Sequence, residues 1–457
     1  MNHVGTTLDE QFAEQTLALD AQSLSGTDIA QLKQLVVDHL AVCLGGASLP
    51  WSRALQRWAS ASAGSGNARV FGTDLRMNPS TAALLNGAAA HGMELDDTHD
   101  ASLSHPGAVV ISAALAVGMD RHCSGQEVLA AIAAGYEVMA RVGMAAGAPR
   151  IIEDGFHPTA LFGSFGATAA AGKLLGLSTE QLCSAWGLAL SSTGGSTQFS
   201  QESAGTTVKR MHGGYAAQNG VVAAEHAALG IAGPHQAFSG RYGFFKMFGN
   251  EPEPSVLLRQ AHEALQIHHI SLKPYPCCRL FHSTLDALAE ATGGWGTPAE
   301  SIATITVGGP EVLLTQHMLR RPTSEMAAQY SLPFALATSL LNGAKRYDAY
   351  AGAHLEDADI LALGDRVECV FDEGMQAAYP AHFGSWVEVE KLNGERTRAD
   401  VLDSYGTPAR PMPLDSVIEK AQGLIAGADA VRCDPQALFA SVQDMTTMNV
   451  VALSGLD

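Results

Sequence analysis

Over its first 270 positions the chain repeats apolar residues with a helical period. Ile29, Leu32, Val36, Leu40 and Leu44 fall on one side of a helix that Thr27 or Asp28 can cap and Gly45-Gly46 ends. Asn78-Pro79-Ser80 opens a second helix, which leads into an acidic stretch. Ser124 to Val142 is a third, with Leu129, Ile132, Tyr136 and Met139 in register. Thr159 to Leu175 is rich in Gly and Ala, which lets helices approach closely, so the pattern predicts a helix buried on most sides. Ser178 and Gln181 have capping-box spacing for a helix through Trp186. Val208 to Leu229 is helical again and stops at Gly230, with Gly233-Pro234 beyond.

Near residue 270 the period shortens to two. SIATITVGG (301–309) and RVECVF (366–371) alternate as strands do, and WVEVEKL and ERTRADV flank the hairpin signal Asn393-Gly394. A helical pattern, Ala327 to Leu341, lies between them. After Pro411 and Pro413 the helical period returns through Val417–Ile425 and Pro435–Val442. The expected fold is mainly α. A large all-helical domain is formed by both chain ends (1–270 and 409–457), and residues 271–408 form a smaller α+β domain.

Composition narrows the function. At 457 residues the chain is long for one core, and 47% apolar residues suit a globular protein. A net charge of −19 without a basic stripe speaks against nucleic acid as a partner, yet leaves room for a small anionic substrate in a locally positive pocket. The start MNHVGTTLDEQFAEQ lacks a signal peptide's basic and apolar regions, and the apolar stretches are broken before they span a bilayer, so no membrane partner is expected. Seven cysteines, an odd and scattered set without a CxxC pair, suit reduced thiols in the cytoplasm and give no cysteine-held metal.

The chemistry concentrates in LLNGAAAHGMELDDTHDASLSHPGAVV (84–110), where His91, Glu94, Asp96, Asp97, His99, Asp100 and His105 fall between apolar runs. Carboxylates are costly to bury unpaired, so this stretch reads as the wall of an active site. His105-Pro106 offers a general acid or base, or else a turn histidine, and Glu94 and Asp97 beside it favour the former. Phe156-His157-Pro158-Thr159 sets a second His-Pro ahead of a helix, a place to hold a carboxylate or a plain Thr159 cap. Lys209, Arg210 and His212 beside Gly213-Gly214 form either an anion-binding corner or a solvated helix start. Lys273-Pro274-Tyr275-Pro276-Cys277-Cys278-Arg279 marks the domain junction, with buried thiols expected and Lys273 and Arg279 meeting substrate. Tyr330 lies in a helix of the smaller domain, where a tyrosine is ordinarily core. From another class, DDTHD matches the Asp-Asp-x-x-Asp pattern that holds magnesium diphosphate in isoprenoid enzymes, although no second acidic motif accompanies it.

The ordered set NGAAAHGMELDDTHDASLSHPG, HPT, VKRMHGGYAAQNGVVAAEHAALGIAGP and KPYPCCR resembles the 2-methylcitrate dehydratase superfamily, MmgE/PrpD, which includes cis-aconitate decarboxylase and iminodisuccinate epimerase. The resemblance covers nearly the whole chain. It implies that the smaller domain is a lid over a cleft, that the protein is a homodimer, and that it uses no metal or organic cofactor. Its active-site positions match His105, His157, Lys209, Lys273 and Tyr330, with Thr98 in the acidic motif. Glu94, Asp97, Thr98, His212 and Arg279 are the expected substrate-binding set, and the substrate a small di- or tricarboxylate. Many family members carry Asp where this chain has Glu94, whose longer arm alters where a carboxylate reaches. The expected reaction is 2-methylcitrate dehydratase-like, by proton transfer next to a carboxylate. The alternatives are decarboxylation, epimerisation, or a non-catalytic member that binds a metabolite.

Overall fold

In the computed structural model, residues 6–62, 64–202, 206–295, 298–428 and 433–454 are described. The helices form where the periodicity places them. Gly26–Gly46 is capped by Ser25, ahead of the expected Thr27 or Asp28, because Asp28 reciprocates from the third position of a capping box. Asn78 caps Pro79–Ala90, accepting from the Thr81 N–H, and Ser124 with Glu127 boxes in Gly125–Ala146. Pro158–Leu174 is buried from Pro158 through Gly172, as its small residues predict.

Gly125–Ala146 corrects one expectation. It is long and apolar enough to cross a membrane, but 94% of its apolar window is buried inside the protein, so it serves as a core helix.

The smaller region is built on a four-stranded mixed sheet. Its order is Val367–Phe371, Ile302–Gly309, Ser385–Lys391, Arg396–Val401. The first pair is parallel and the others antiparallel. The last two strands form the hairpin at Asn393-Gly394, where Gly394 takes φ 84°, a conformation open to glycine. Helix His282–Thr292 covers the sheet, and a core that includes Phe281, Leu285, Ile305 and Val387 fills the space between.

Helices Leu414–Ala426 and Pro435–Gln443 at the chain's end return to the first region. Val417, Ala421, Leu424 and Leu438 join the same core as Leu32, Val36 and Leu40.

The helical pattern from Ala327 to Leu341 is two helices, Glu325–Gln329 and Leu332–Asn342. Ser331 caps the second, and Pro333 has no N–H to continue the first. Tyr330 therefore sits in the break rather than within a helix, and the break turns its side chain towards the larger region.

Two local features position the site. Thr98–His99 pairs antiparallel with Ile270–Ser271, which carries the junction and Lys273 to the acidic stretch. Gly213 and Gly214 serve helix packing, not ligand approach. A Cβ on Gly214 would lie 2.3 Å from the Leu84 carbonyl oxygen, so only glycine lets helix Val208–Ala228 lie this close to Pro79–Ala90.

Candidate active site

Glu94 is the centre of the site. It follows helix Pro79–Ala90 with φ 55°, a left-handed conformation that costs a non-glycine residue about 1–2 kcal/mol. Strain of that kind persists where the surroundings hold it. One carboxylate oxygen accepts from Lys209 Nζ and, at 2.6 Å, from Arg210. The other accepts from the Tyr330 hydroxyl at 3.2 Å and from Lys273 Nζ at 3.4 Å. Burial works against the charge on Glu94, but Lys209, Lys273 and Arg210 outweigh it and hold the carboxyl well below its ordinary range. Burial also pulls Lys209 down, with Glu94 opposing.

Lys209 and Arg210 lie in the first turn of helix Val208–Ala228, where the helix dipole disfavours cations. Three buried cations around one carboxylate leave an excess of positive charge, which favours anion binding far more than stability.

The histidines line up beside this nest. His105 and His157 are the N-cap residues of Pro106–Asp120 and Pro158–Leu174, each followed by proline and neither spending its ring on the cap. Thr159 is not a cap. Its hydroxyl accepts from the His105 N–H at 3.1 Å and so ties the two His-Pro corners together. The ring centroids of His91 and His105 are 5.0 Å apart, those of His91 and His157 5.8 Å, and those of His157 and His212 4.9 Å.

His105 Nδ1 lies 3.0 Å from the main-chain carbonyl of Asp97. A carbonyl only accepts, so Nδ1 carries the hydrogen and Nε2 is left with its lone pair free. Burial, helped by Lys273, lowers the pKa of His105 to about 3 against the pull of Asp96, so the resting imidazole is neutral.

His91 donates from Nδ1 to Asp96 Oδ2 at 2.6 Å. His157 and His212 meet through their Nδ1 atoms at 3.0 Å, and burial pushes both below the usual range, His212 to about 4.

The remaining expected residues stand slightly apart. Asp97 orients His105 through its backbone. Its carboxylate is taken by the Tyr136 hydroxyl at 2.6 Å and the Gly107 N–H at 2.7 Å, and burial raises it to about 7. Thr98 donates to Asp100 at 3.0 Å. Arg279 is held by Asp100 at 2.9 Å and Ser404 at 3.0 Å, so it braces the junction instead of facing the Glu94 nest. Cys277 and Cys278 are free, buried thiols, as expected.

The carboxylates of DDTHD thus diverge, Asp96 to the histidines, Asp97 to Tyr136 and Asp100 to Arg279, which gives a shared magnesium ion no common seat. His91, Asp96 and His105 do bring three ligand-type atoms within 4.8 Å. Beyond burial, however, Lys209 lowers the pKa of His91, and Lys273 and Lys209 lower that of His105, by their charge, and the same cations work against a further cation at this spot.

Sequence reasoning put His91 and Asp96 in the active-site wall and Arg210 in a possible anion-binding corner without giving them roles of their own, and it gave Gln329 none. Gln329 had no readable signal, since its role is to accept from Arg210 and donate to the Met93 carbonyl at 3.1 Å across the junction.

The neutral histidines make acid stability testable. His91, His105, His157 and His212 have folded pKa values below the unfolded 6.5, so their contribution is present above that value and is lost as pH falls. Asp97, raised to about 7, contributes in the opposite sense, losing stability as pH rises through that value. With His39, His99, His282 and His317 also lowered, eight imidazoles stand against the four raised carboxyls Asp38, Asp97, Glu225 and Glu325, and Tm falls between pH 6.5 and 5 in scanning calorimetry. A level or rising Tm over that interval would mean that the folded protein accepts those protons.

Comparison with known proteins decides the family. The MmgE/PrpD N-terminal domain matches residues 10–257, and the MmgE/PrpD C-terminal domain matches residues 275–440. The chain belongs to the MmgE/PrpD family. The C-terminal match runs past the sheet into the final helices that rejoin the first core. Among relatives, the chain is 29% identical to the cis-aconitate decarboxylase-like protein oryM of Aspergillus oryzae, over 86% of this chain and 85% of that one. It is 26% identical to the cis-aconitate decarboxylase of Aspergillus terreus, over 87% and 84%. It is 28% identical to the human cis-aconitate decarboxylase, over 79% and 76%. MmgE/PrpD proteins carry out lyase and isomerase chemistry on small carboxylates, and this member is mostly helical with a small mixed-sheet lid region.

Proposed function

We propose that this MmgE/PrpD protein is a carboxy-lyase that releases CO2 from a small unsaturated di- or tricarboxylate by proton transfer, with no metal or organic cofactor. The observation that carries the reading is the convergence of Lys209, Lys273 and Tyr330 on Glu94, with the His105 imidazole near enough for its charge to act on that carboxylate. The decarboxylase relatives favour CO2 loss over the dehydration expected from sequence. Glu94 is compatible with it, since its carboxylate still engages both lysines.

Lys209, Lys273 and His157 hold the substrate carboxylates and stabilise charge that builds on them as the bond to CO2 breaks. The electron pair left behind takes a proton at carbon. In the resting enzyme His105 is a base. A substrate bringing two or three carboxylates adds negative charge beside the ring and favours its protonation, so the same imidazole becomes the acid of the complex. Tyr330 is the second proton carrier. Asp97 and Asp96 hold His105 and His91, His212 sets the ring of His157, and Thr98 and Arg279 brace the wall through Asp100. The reading includes a helical body of residues 1–270 and 409–457, a lid of 271–408 and a homodimer, the last measurable by sedimentation.

The test is a panel of 2-methylcitrate, citrate, cis-aconitate and iminodisuccinate followed by proton NMR in deuterated water. CO2 loss with one deuteron gained at carbon is the expected result, unaffected by EDTA. Water loss or exchange alone would replace the carboxy-lyase reading with a dehydratase or epimerase. Loss of activity on chelation with rescue by magnesium would replace it with a metal enzyme.

A further inference from the structure

The Glu94 turn is held by a residue more than 300 positions away in sequence. Lys420, on helix Leu414–Ala426, is 3% exposed. Its ammonium donates to Asp38 Oδ1 at 2.7 Å and to the Leu95 carbonyl at 2.8 Å. Asp38 lies on helix Gly26–Gly46, against which the helix of Lys420 packs. Met93 enters the same contact: a Cβ on Gly45 would lie 3.2 Å from Met93 Sδ and 3.4 Å from Leu424.

The Leu95 carbonyl belongs to the peptide that joins Leu95 to Asp96, the partner of His91 and neighbour of His105, and lies one residue after the strained Glu94. Rotation of that peptide would swing Asp96 away from the histidines directly, and through the Leu95 backbone it would loosen the turn that aims Glu94 at Lys209 and Lys273. A buried carbonyl bonded to a charged donor resists rotation more than one bonded to a neutral donor. The pair with Asp38 is a poor source of stability, because desolvating two charges offsets most of their attraction. Asp38 Oδ1 gives the ammonium a second acceptor, which an amide oxygen can also supply.

We propose that Lys420 is a positioning residue for catalysis, acting through the Leu95 carbonyl to fix the Glu94 and Asp96 side chains, so that the last helices are part of the active-site machinery. The proposal rests on the proton-transfer reading of the site.

Three variants test it, with turnover scored by proton NMR for any product. Lys420→Met strands Asp38 and is expected to lower both Tm and kcat. Asp38→Leu with Lys420→Met removes both charges and is expected to restore most of the lost Tm, while kcat stays down about 10-fold or more and KM moves little, because the cations that bind substrate are untouched. Asp38→Asn leaves the donor to Leu95 in place and is expected to lower Tm but keep kcat. A double variant with kcat within twofold of the parent would overturn the proposal. So would an equal drop in kcat for Asp38→Asn and Lys420→Met at matched folded fraction, a comparison that holds if the double variant does not fold. Failure of the carboxy-lyase reading appears separately, in the parent protein, as a product other than the decarboxylated one.

Discussion

His105→Ala lowers kcat about 100-fold or more, while Tm and sedimentation stay near those of the parent. The imidazole is fixed by one bond from Nδ1 to the Asp97 carbonyl at 3.0 Å, and its side chain is 13% exposed, the least buried of the histidine row. Removing it leaves that carbonyl within reach of water and opens no large apolar cavity. Stability therefore changes little, whereas the only free imidazole nitrogen assigned to the reacting carbon is lost. The dependence of kcat/KM on pH separates this from a structural effect, since the limb owed to His105 should vanish with the ring. Turnover within a few-fold of the parent would remove His105 from the mechanism and pass its role to Tyr330.

Lys209→Met lowers kcat/KM by about 100- to 1,000-fold, the usual loss for one aimed donor in a site that excludes water. Methionine keeps the length of the side chain and removes its charge. Glu94 still has Arg210 at 2.6 Å, Tyr330 at 3.2 Å and Lys273 at 3.4 Å, so its carboxylate is not stranded and the fold survives. The split between kcat and KM is informative. A rise in KM alone would mean that Lys209 holds the substrate equally before and during the reaction, and a fall in kcat that it meets charge which develops only as CO2 leaves.

Much of this architecture was legible without coordinates because its signals are local. Capping residues, a helical period and an Asn-Gly turn act within a few positions, so helices such as Gly125–Ala146 and the hairpin at Asn393-Gly394 fell where the pattern placed them. The displaced cap at Ser25 and the broken helix at Tyr330 are local as well, and were misread because Ser25, Thr27 and Asp28 are all capping types and because Ser331-Leu332-Pro333 starts a new helix within one continuous apolar pattern. The site was legible as composition: titratable residues gathered in 84–110, and cations near 209 and 273 in a chain poor in them.

Directions were not legible. Nothing near Asp97 shows that its carbonyl, and not its carboxylate, faces His105, nor that Arg279 turns to Asp100. Nothing in the sequence singles out Lys420, which ends buried on the Leu95 carbonyl.

By itself the sequence determined the elements, the family resemblance and the inventory of chemical groups, since each follows from neighbours along the chain. Tertiary structure alone decided that Glu94 gathers Lys209, Arg210, Lys273 and Tyr330, and that His105 presents Nε2. Those relations join elements up to 236 positions apart, and they exist only once packing has fixed each helix and the side chains it carries.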